Sequence, residues 1–276
     1  MTTVGFATWN LNWFKRSPAW AESKLAFLYQ QPWDVIALQE VTASMVGLVL
    51  QSGIAEHVAY SADVAPDWGF GSALLARNGA VIEQHCLLAE LPNPNWGVVA
   101  RIKFDDVAFT AASWHAPNAA KAENRAAKAA AYRSVNHWVR GRQDPLVIGA
   151  DANHGARWTR TLDFPGEPFQ AIKEDDWLDE NRFWAQPDHD LRDMWFEYLQ
   201  DRPELVATLR VERPEGPSAI SYTRGSSKNP TPDRFDYILA SPEFSVTHMT
   251  YEYERAKVAG SDHAFVVSSL QLVLHH

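Results

Sequence analysis

The sequence predicts an α/β protein, a four-layer α/β/β/α sandwich in which two mostly antiparallel sheets face each other with helices on both outer faces. Three observations point to it. Strand-like and helix-like segments alternate over the first fifty residues, a series of strand-like runs without helical spacing follows, and the strand–helix grammar returns after residue 118 before three closing strands. No Gly-, Ser- or Pro-rich linker separates the halves and no fixed-period repeat is visible, so one domain over residues 1–276 is expected.

Taken in order, Val4 to Trp9 is a short apolar strand, Trp20 to Tyr29 has helical spacing, Val35 to Gln39 is a second apolar run and Ala43 to Leu50 is helical again. From Ser72 to Ser113 the runs SALLAR, AVIEQHCLL, WGVVARIKF and VAFTAAS read as an antiparallel meander, with Asp105 and Asp106 turning the last hairpin. The Ala-rich stretch from Ala119 to Arg140 is the clearest helix, and PLVIGAD follows as a buried strand ending on an acid. Residues 154–220 show little periodicity beyond a short helix near Leu191 to Leu199. Such length suggests surface loops that influence substrate choice. FDYILA, SVTHMTYEYE and HAFVVSSLQLVL close the chain as strands.

Composition narrows the class. With 46% hydrophobic and 21% charged residues the chain is neither disordered nor collagen-like. A formal net charge of -9 argues against holding nucleic acid by bulk electrostatics, which needs Lys and Arg to replace phosphate counterions, but leaves its cleavage open. The single Cys86 cannot close an intrachain disulfide, and the opening MTTVGFATWN lacks a charged segment followed by a long apolar one, so a reducing, cytoplasmic setting is expected. No apolar stretch approaches the roughly 18 residues that span a bilayer. A monomer without a membrane anchor is the expectation.

Polar residues terminate several apolar runs: Asn10 and Asn12 in ATWNLNWF, Glu40 in DVIALQEV, His115 and Asn118 in SWHAPN, Asp151 and Asn153 in VIGADANH, Asp236 in DRFDYILAS, and Asp262 with His263 in GSDHAFVV. Singly, each is as well explained by a helix cap or a turn. Together they are hard oxygen donors, amides and two His without Cys, a set that suits Mg²⁺ or Mn²⁺ and not a closed zinc site. Amides can donate to phosphate oxygens, and Asp236 could hold His263 in one tautomer as a more basic group. This is a kit for hydrolysing phosphate esters.

The ordered set TWN, LQE, WHAPN, GADAN, RFDYIL and SDH resembles the endonuclease/exonuclease/phosphatase superfamily, which includes pancreatic-type deoxyribonuclease, abasic-site endonucleases, sphingomyelinases and inositol polyphosphate phosphatases. The match runs from Trp9 to His263. The resemblance implies the four-layer sandwich, one or two divalent metals and P–O cleavage with no covalent enzyme intermediate. It implies Glu40 as principal metal ligand with Asn10 beside it, and Asp262 touching the metal. Asp151 would orient the attacking water, Asn153 bind the scissile phosphate, and His263, oriented by Asp236, act as general base or transition-state donor. His115 would contact the phosphate or leaving oxygen, and Asn118 matches a Pro-Asn turn of the abasic-site enzymes. Asn12 departs from the pattern: those enzymes have Asp there, and an amide brings a metal no charge.

For substrate, Lys121, Arg125, Lys128, Arg133, Arg140, Arg142, Arg157 and Arg160 crowd the region from His115 to Arg160, whereas acids dominate from Glu167 to Glu204. A basic helix beside WHAPN and GADAN could grip a phosphate backbone, with Arg125 and Arg157 as contacts; the plain alternative is a solvated amphipathic face. Trp68, Phe70, Trp96 and Trp158 could stack on bases or serve as anchors. Three readings follow: a metal-dependent nuclease acting on DNA or RNA, a phosphatase or phosphodiesterase for a small phosphorylated metabolite or lipid head group, and a catalytically dead binding module. The intact Glu40, Asp151, Asp236 and His263 argue against the last.

Overall fold

The computed structural model describes residues 2–12, 15, 17–65, 69–118, 122–153, 183–184, 187, 189–214, 216–224 and 230–273. In order the elements are β1 (Thr2–Asn10), α1 (Pro18–Gln30), β2 (Val35–Val41), α2 (Ala43–Gln51), β3 (His57–Tyr60), α3 (Ser61–Val64), β4 (Gly71–Ala76), β5 (Val81–Leu87), β6 (Gly97–Phe104), β7 (Val107–His115), α4 (Ala122–Arg140), β8 (Leu146–Asp151), β9 (Arg192–Asp193), α5 (Met194–Gln200), α6 (Pro203–Glu212), β10 (Tyr222–Arg224), β11 (Thr231–Asp233), β12 (Asp236–Ala240), β13 (Phe244–Glu252), α7 (Tyr253–Val258) and β14 (Phe265–Leu272). Two six-stranded sheets result, ordered β13-β14-β1-β2-β4-β3 and β5-β6-β7-β8-β12-β9.

Each sheet is antiparallel except at its centre. There β1 runs parallel to β2 and β7 parallel to β8, and a parallel pair needs a crossover, which α1 and α4 supply. Pro18 opens α1, where its missing N–H costs nothing, and the Thr42 hydroxyl caps α2 by accepting from Met45 N–H. The central core packs Phe6, Val35, Leu74, Val98, Phe109, Val147 and Ile238 between the sheets. Phe27, Leu28, Met45 and Val49 cover the outer face of the first sheet, and Ala131, Tyr132, Val135 and Val139 of α4 cover that of the second. The expected four layers are therefore present.

The meander expected from Ser72 to Ser113 is not one sheet. β4 pairs with β2 and β3 in the first sheet, whereas β5, β6 and β7 belong to the second. The physical reason is legible afterwards: every residue of β4 is buried, with Leu74 and Ala76 facing the central core and Ala73 and Leu75 the outer one, so it suits a strand covered on both faces. β5 is largely exposed, as an edge strand can be. The short strands β3, β9, β10 and β11 and the helices α3, α6 and α7 were not expected; α7 interrupts the run read as SVTHMTYEYE. Between residues 154 and 182 the expected loops lie outside the described residues.

At Gly149 the second sheet packs against the first without room for a side chain. A Cβ there would stand 2.5 Å from Ala37 Cβ and 2.8 Å from Thr8 Cβ, so the absence of a side chain is a packing requirement. Buried Gln39 bridges the layers at the same place, its Nε2 donating to Thr8 Oγ1, Ser113 Oγ and the Gly149 carbonyl at 3.1–3.2 Å. Gly149→Ala should cost about 1–3 kcal/mol of stability, the usual penalty of overpacking. Chemical denaturation with an unchanged midpoint would show that the sheets can separate freely.

Candidate active site

Strand register assembles the site. On the second sheet His115 of β7 lies beside Asp151 of β8, and Asp151 lies opposite Asp236 of β12, so three polar residues form a row across adjacent strands. On the first sheet β1 ends at Asn10 beside Gln39, one residue before Glu40. The two rows meet at one rim, where Asn10 Nδ2 donates to Asp151 Oδ2 at 2.8 Å.

The backbone then turns sharply beside three of these residues. Asn10 Oδ1 accepts from Asn12 N–H and Asp151 Oδ1 from Asn153 N–H, both at 2.9 Å, matching turns after two strand ends. Asn12, Glu40 and Asn153 occupy the left-handed region at φ of 51°, 54° and 44°. For Glu40 this falls where the β2–β4 register slips, a bulge that re-aims the side chain at a cost of roughly 1–3 kcal/mol. Neighbouring bonds hold the strain: Leu11 N–H to the Gln39 carbonyl at 2.9 Å, and Lys128 Nζ to the Asn153 carbonyl at 2.9 Å.

Asp151 Oδ2 is the hub. Nε2 of His263 stands 3.7 Å from it and Nε2 of His115 3.6 Å, while His115 Nε2 also stands 3.8 Å from Glu40 Oε1. On its other side His263 Nδ1 lies 2.9 Å from Asp236 Oδ2, so an Nδ1–H donated there leaves Nε2 facing Asp151. The dyad is braced throughout. Ser221 Oγ accepts from Phe235 N–H and Asp236 N–H, Tyr251 OH donates to the Asp236 carbonyl, and the Tyr222 ring lies 4.9 Å from that of His263. Ser261 joins the dyad to the first sheet, accepting from His263 N–H at 3.0 Å and donating to the Asn10 carbonyl at 2.5 Å.

Burial opposes charge on both members. It lowers His263, but the carboxylates of Asp236 and Asp151, the bond to Asp236 and the charge of Asp262 outweigh it and raise the imidazole well above its ordinary value. In fully buried Asp236 desolvation raises the carboxyl, with the His263 charge pulling the other way.

The remaining expected residues are distributed unevenly. Asp262 is partly buried, and its charge reaches Lys24 and His263. Asn153 commits one amide proton to the Ala116 carbonyl at 2.8 Å. Asn118 and Arg125 are exposed, at the end of the segment after β7 and on the first turns of α4. Phe70 reaches the rim, its ring 6.4 Å from that of His115, whereas Trp96 packs against the α4 core as an anchor. Lys128 is no phosphate grip: it is buried and clamps the Asn153 carbonyl. Arg157 falls outside the described residues, as do Trp68, Lys121, Trp158 and Arg160.

Sequence reasoning missed Lys24. It is 2% exposed on α1, with Nζ donating to the carbonyls of Asn12 at 3.3 Å and Lys15 at 3.0 Å, so it ties down the loop after β1. Burial and nearby Lys15 lower it to about 8, with Asp262 and Glu40 pulling upward. A signal existed, for Lys24, Phe27 and Leu28 fall at i, i+3 and i+4 on the buried face of α1. Ser221 and Ser261 carried no signal, because their partners are remote in sequence.

Could these residues hold a metal? Among the described residues, Asp151, Asp236 and His263 bring one ligand atom each within 4.8 Å of one another. This differs from the expected set of Glu40, Asn10, Asn12 and Asp262. A cation inside the trio would have to displace the proton between Asp236 and His263 at a fully buried carboxylate. Glu40, with a 17% exposed side chain among oxygen donors and no thiolate, fits a hard, partly hydrated cation better.

A model of the endonuclease/exonuclease/phosphatase family matches residues 7–263. The chain belongs to that family. Its members hydrolyse phosphodiester bonds with a divalent metal. No curated protein matches the sequence. Similar solved structures include TDP2 of D. rerio complexed with single strand DNA product, at 13% identity and a TM-score of 0.69, covering 98% of this chain and 100% of the other. Family proteins from Bacteroides vulgatus (17%, TM-score 0.61, 99% and 100%) and Beutenbergia cavernae (19%, TM-score 0.62, 99% and 72%) share the fold as well. At such identities the likeness speaks for the family's fold alone.

Proposed function

We propose that this chain is a Mg²⁺- or Mn²⁺-dependent nuclease that hydrolyses phosphodiester bonds of DNA or RNA by in-line attack of water. The observation that carries the reading is the convergence on Asp151 Oδ2 of His263, 3.7 Å away and backed by Asp236, His115, 3.6 Å away, and the amide of Asn10. Asp151 orients a water and takes its proton. The water oxygen bonds to phosphorus as the opposite P–O bond breaks, and the departing alkoxide takes a proton from solvent water, to which Asp151 later returns its own. His263, fixed by Asp236, hydrogen-bonds the transferring phosphoryl group, with His115, Asn10 and Asn153 as further donors. A divalent ion held by Glu40, with Asn10, Asn12 and Asp262 nearby, would neutralise charge on a nonbridging oxygen and on the leaving oxygen.

Nucleic acid is favoured by the exposed Arg125 on the first turns of α4, which starts beside His115, and by the D. rerio protein of like fold solved with single strand DNA product. The net charge of -9 favours a second reading, a small phosphorylated metabolite or lipid head group. We read the protein as one domain, since its site draws on both Asn10 and His263, and as monomeric and cytoplasmic. No helix among the described residues is long and apolar enough to cross a membrane.

The test is a panel of plasmid, single strands, abasic duplex, RNA, a generic phosphodiester and inositol phosphates, each with Mg²⁺, Mn²⁺ or EDTA. Polynucleotide cleavage that needs metal and falls steeply with salt is expected, because phosphate contacts release counterions. Turnover of small monoesters alone would reject the nuclease.

A further inference from the structure

We propose that Tyr251, on an edge strand of the first sheet, is a positioning residue for the hydrolysis: its hydroxyl holds the peptide of Asp236 where the second sheet offers no strand to do so, and thereby sets Asp236 against His263. The inference rests on the reading above for what that dyad does, and adds what places it.

The dyad spans two sheets. Asp236 opens β12 of the second, whereas His263 stands two residues before β14 of the first, so their 2.9 Å contact depends on how one sheet is held against the other. Within its own sheet Asp236 is supported on one side only. Ala152 N–H donates to the Phe235 carbonyl, and bonds alternate along an antiparallel pair, so the N–H and C=O of Asp236 point away from β8. On that far side β9 pairs with Leu239 and Ala240, three residues further along. Asp236 is fully buried, and a buried peptide group without a partner is costly.

Two hydroxyls fill the gap. Ser221 Oγ accepts from the Asp236 N–H at 3.0 Å, and Tyr251 OH donates to the Asp236 carbonyl at 2.9 Å. Tyr251 lies on β13 opposite Val266 of β14, three residues beyond His263, so it reaches from the sheet that carries the histidine to the strand that carries the aspartate. The direction of its proton is set as well. Nη1 of Arg234 stands 3.5 Å from the hydroxyl oxygen, and Arg234 is 2% exposed and held by Asp193 at 2.7 Å. A cationic donor at the oxygen turns the hydroxyl proton toward the Asp236 carbonyl and strengthens the bond it makes there. The Trp195 ring, 5.3 Å away and edge-on, packs against the phenol.

Tyr251→Phe removes the donor and keeps the ring. On a single-stranded oligodeoxynucleotide with Mg²⁺, kcat should fall about tenfold at unchanged KM, less than the roughly 10²-fold that a 1 Å misplacement costs, because Ser221 remains. In the His263→Ala background the same change should cost less than about twofold, since a residue acting through the dyad has nothing left to place. Tyr251→4-aminophenylalanine keeps an N–H donor and should return kcat to within about threefold of wild type. In metal-free protein the NMR resonance of His263 Nδ1–H, which reports the bond to Asp236, should shift in Tyr251→Phe and return in the amino variant. Should the phenylalanine variant fail to fold, 4-methylphenylalanine at the same position fills the volume of the hydroxyl without its proton and takes its place.

Equal losses with and without His263, an amino variant no better than the phenylalanine one, or a folded Tyr251→Phe protein with wild-type kcat or an unmoved resonance would each overturn the role. If the wild type cleaves no phosphodiester with any divalent ion, the proposed activity fails, and the resonance still decides whether Tyr251 places the dyad.

Discussion

His263→Ala lowers kcat on a phosphodiester by about 10³-fold, the scale of losing a positioned hydrogen-bond donor to the transition state. The expectation follows from how much of the molecule is spent on this one ring: Asp236 fixes Nδ1, Ser261 the backbone N–H and Trp9 Nε1 the carbonyl, so that Nε2 faces Asp151. Asp236→Asn separates orientation from chemistry. It keeps a side chain of the same shape but removes the negative charge that raises His263, so the imidazole should titrate closer to an ordinary histidine when followed by NMR in metal-free protein. Turnover in Asp236→Asn should fall about 10²-fold, between wild type and His263→Ala. A folded His263→Ala enzyme with near wild-type kcat would remove His263 from the mechanism and leave Asp151 to explain it alone.

Glu40→Gln raises the Mg²⁺ concentration for half-maximal activity by roughly two orders of magnitude, because affinity for a hard cation follows the charge of its ligands. Asn10 and Asn12 add no negative charge, so the site leans on Glu40. The alternative location, among Asp151, Asp236 and His263, makes the opposite forecast: Glu40→Gln would leave metal dependence intact and Asp236→Asn would abolish it. Metal titrations of the two variants, by activity and by Mn²⁺ binding, discriminate. Retention of wild-type metal affinity in Glu40→Gln would move the ion away from this residue.

Much of both fold and site was legible from residues because the signals were local. Apolar strands ending abruptly on Asn10, Glu40, His115 and Asp151 mark places where a chain leaves the core, and side chains that no core tolerates must face a rim. Helical spacing located α1, α2 and α4 within a few residues. Elements too short for a periodicity to register, such as β3, β9 and α7, leave no signal in the sequence, and the neighbours of β4 differ from those expected because a strand's partner is not written in the strand. Lys24 reads as a surface residue by type, although its place on the buried face of α1 says otherwise.

By itself, then, the sequence determined the layers, the hard-donor chemistry of the rim and the candidate residues, since burial preference and ligand type are properties of single side chains. Only the tertiary structure decided which of them meet. Register laid His115, Asp151 and Asp236 in one row, packing at Gly149 brought the second sheet to Asn10, and left-handed backbone at Glu40 and Asn153 turned their side chains to the same rim. Distances of a few ångströms between residues more than a hundred positions apart arise from the closing of the two sheets on each other, an event in which every strand takes part.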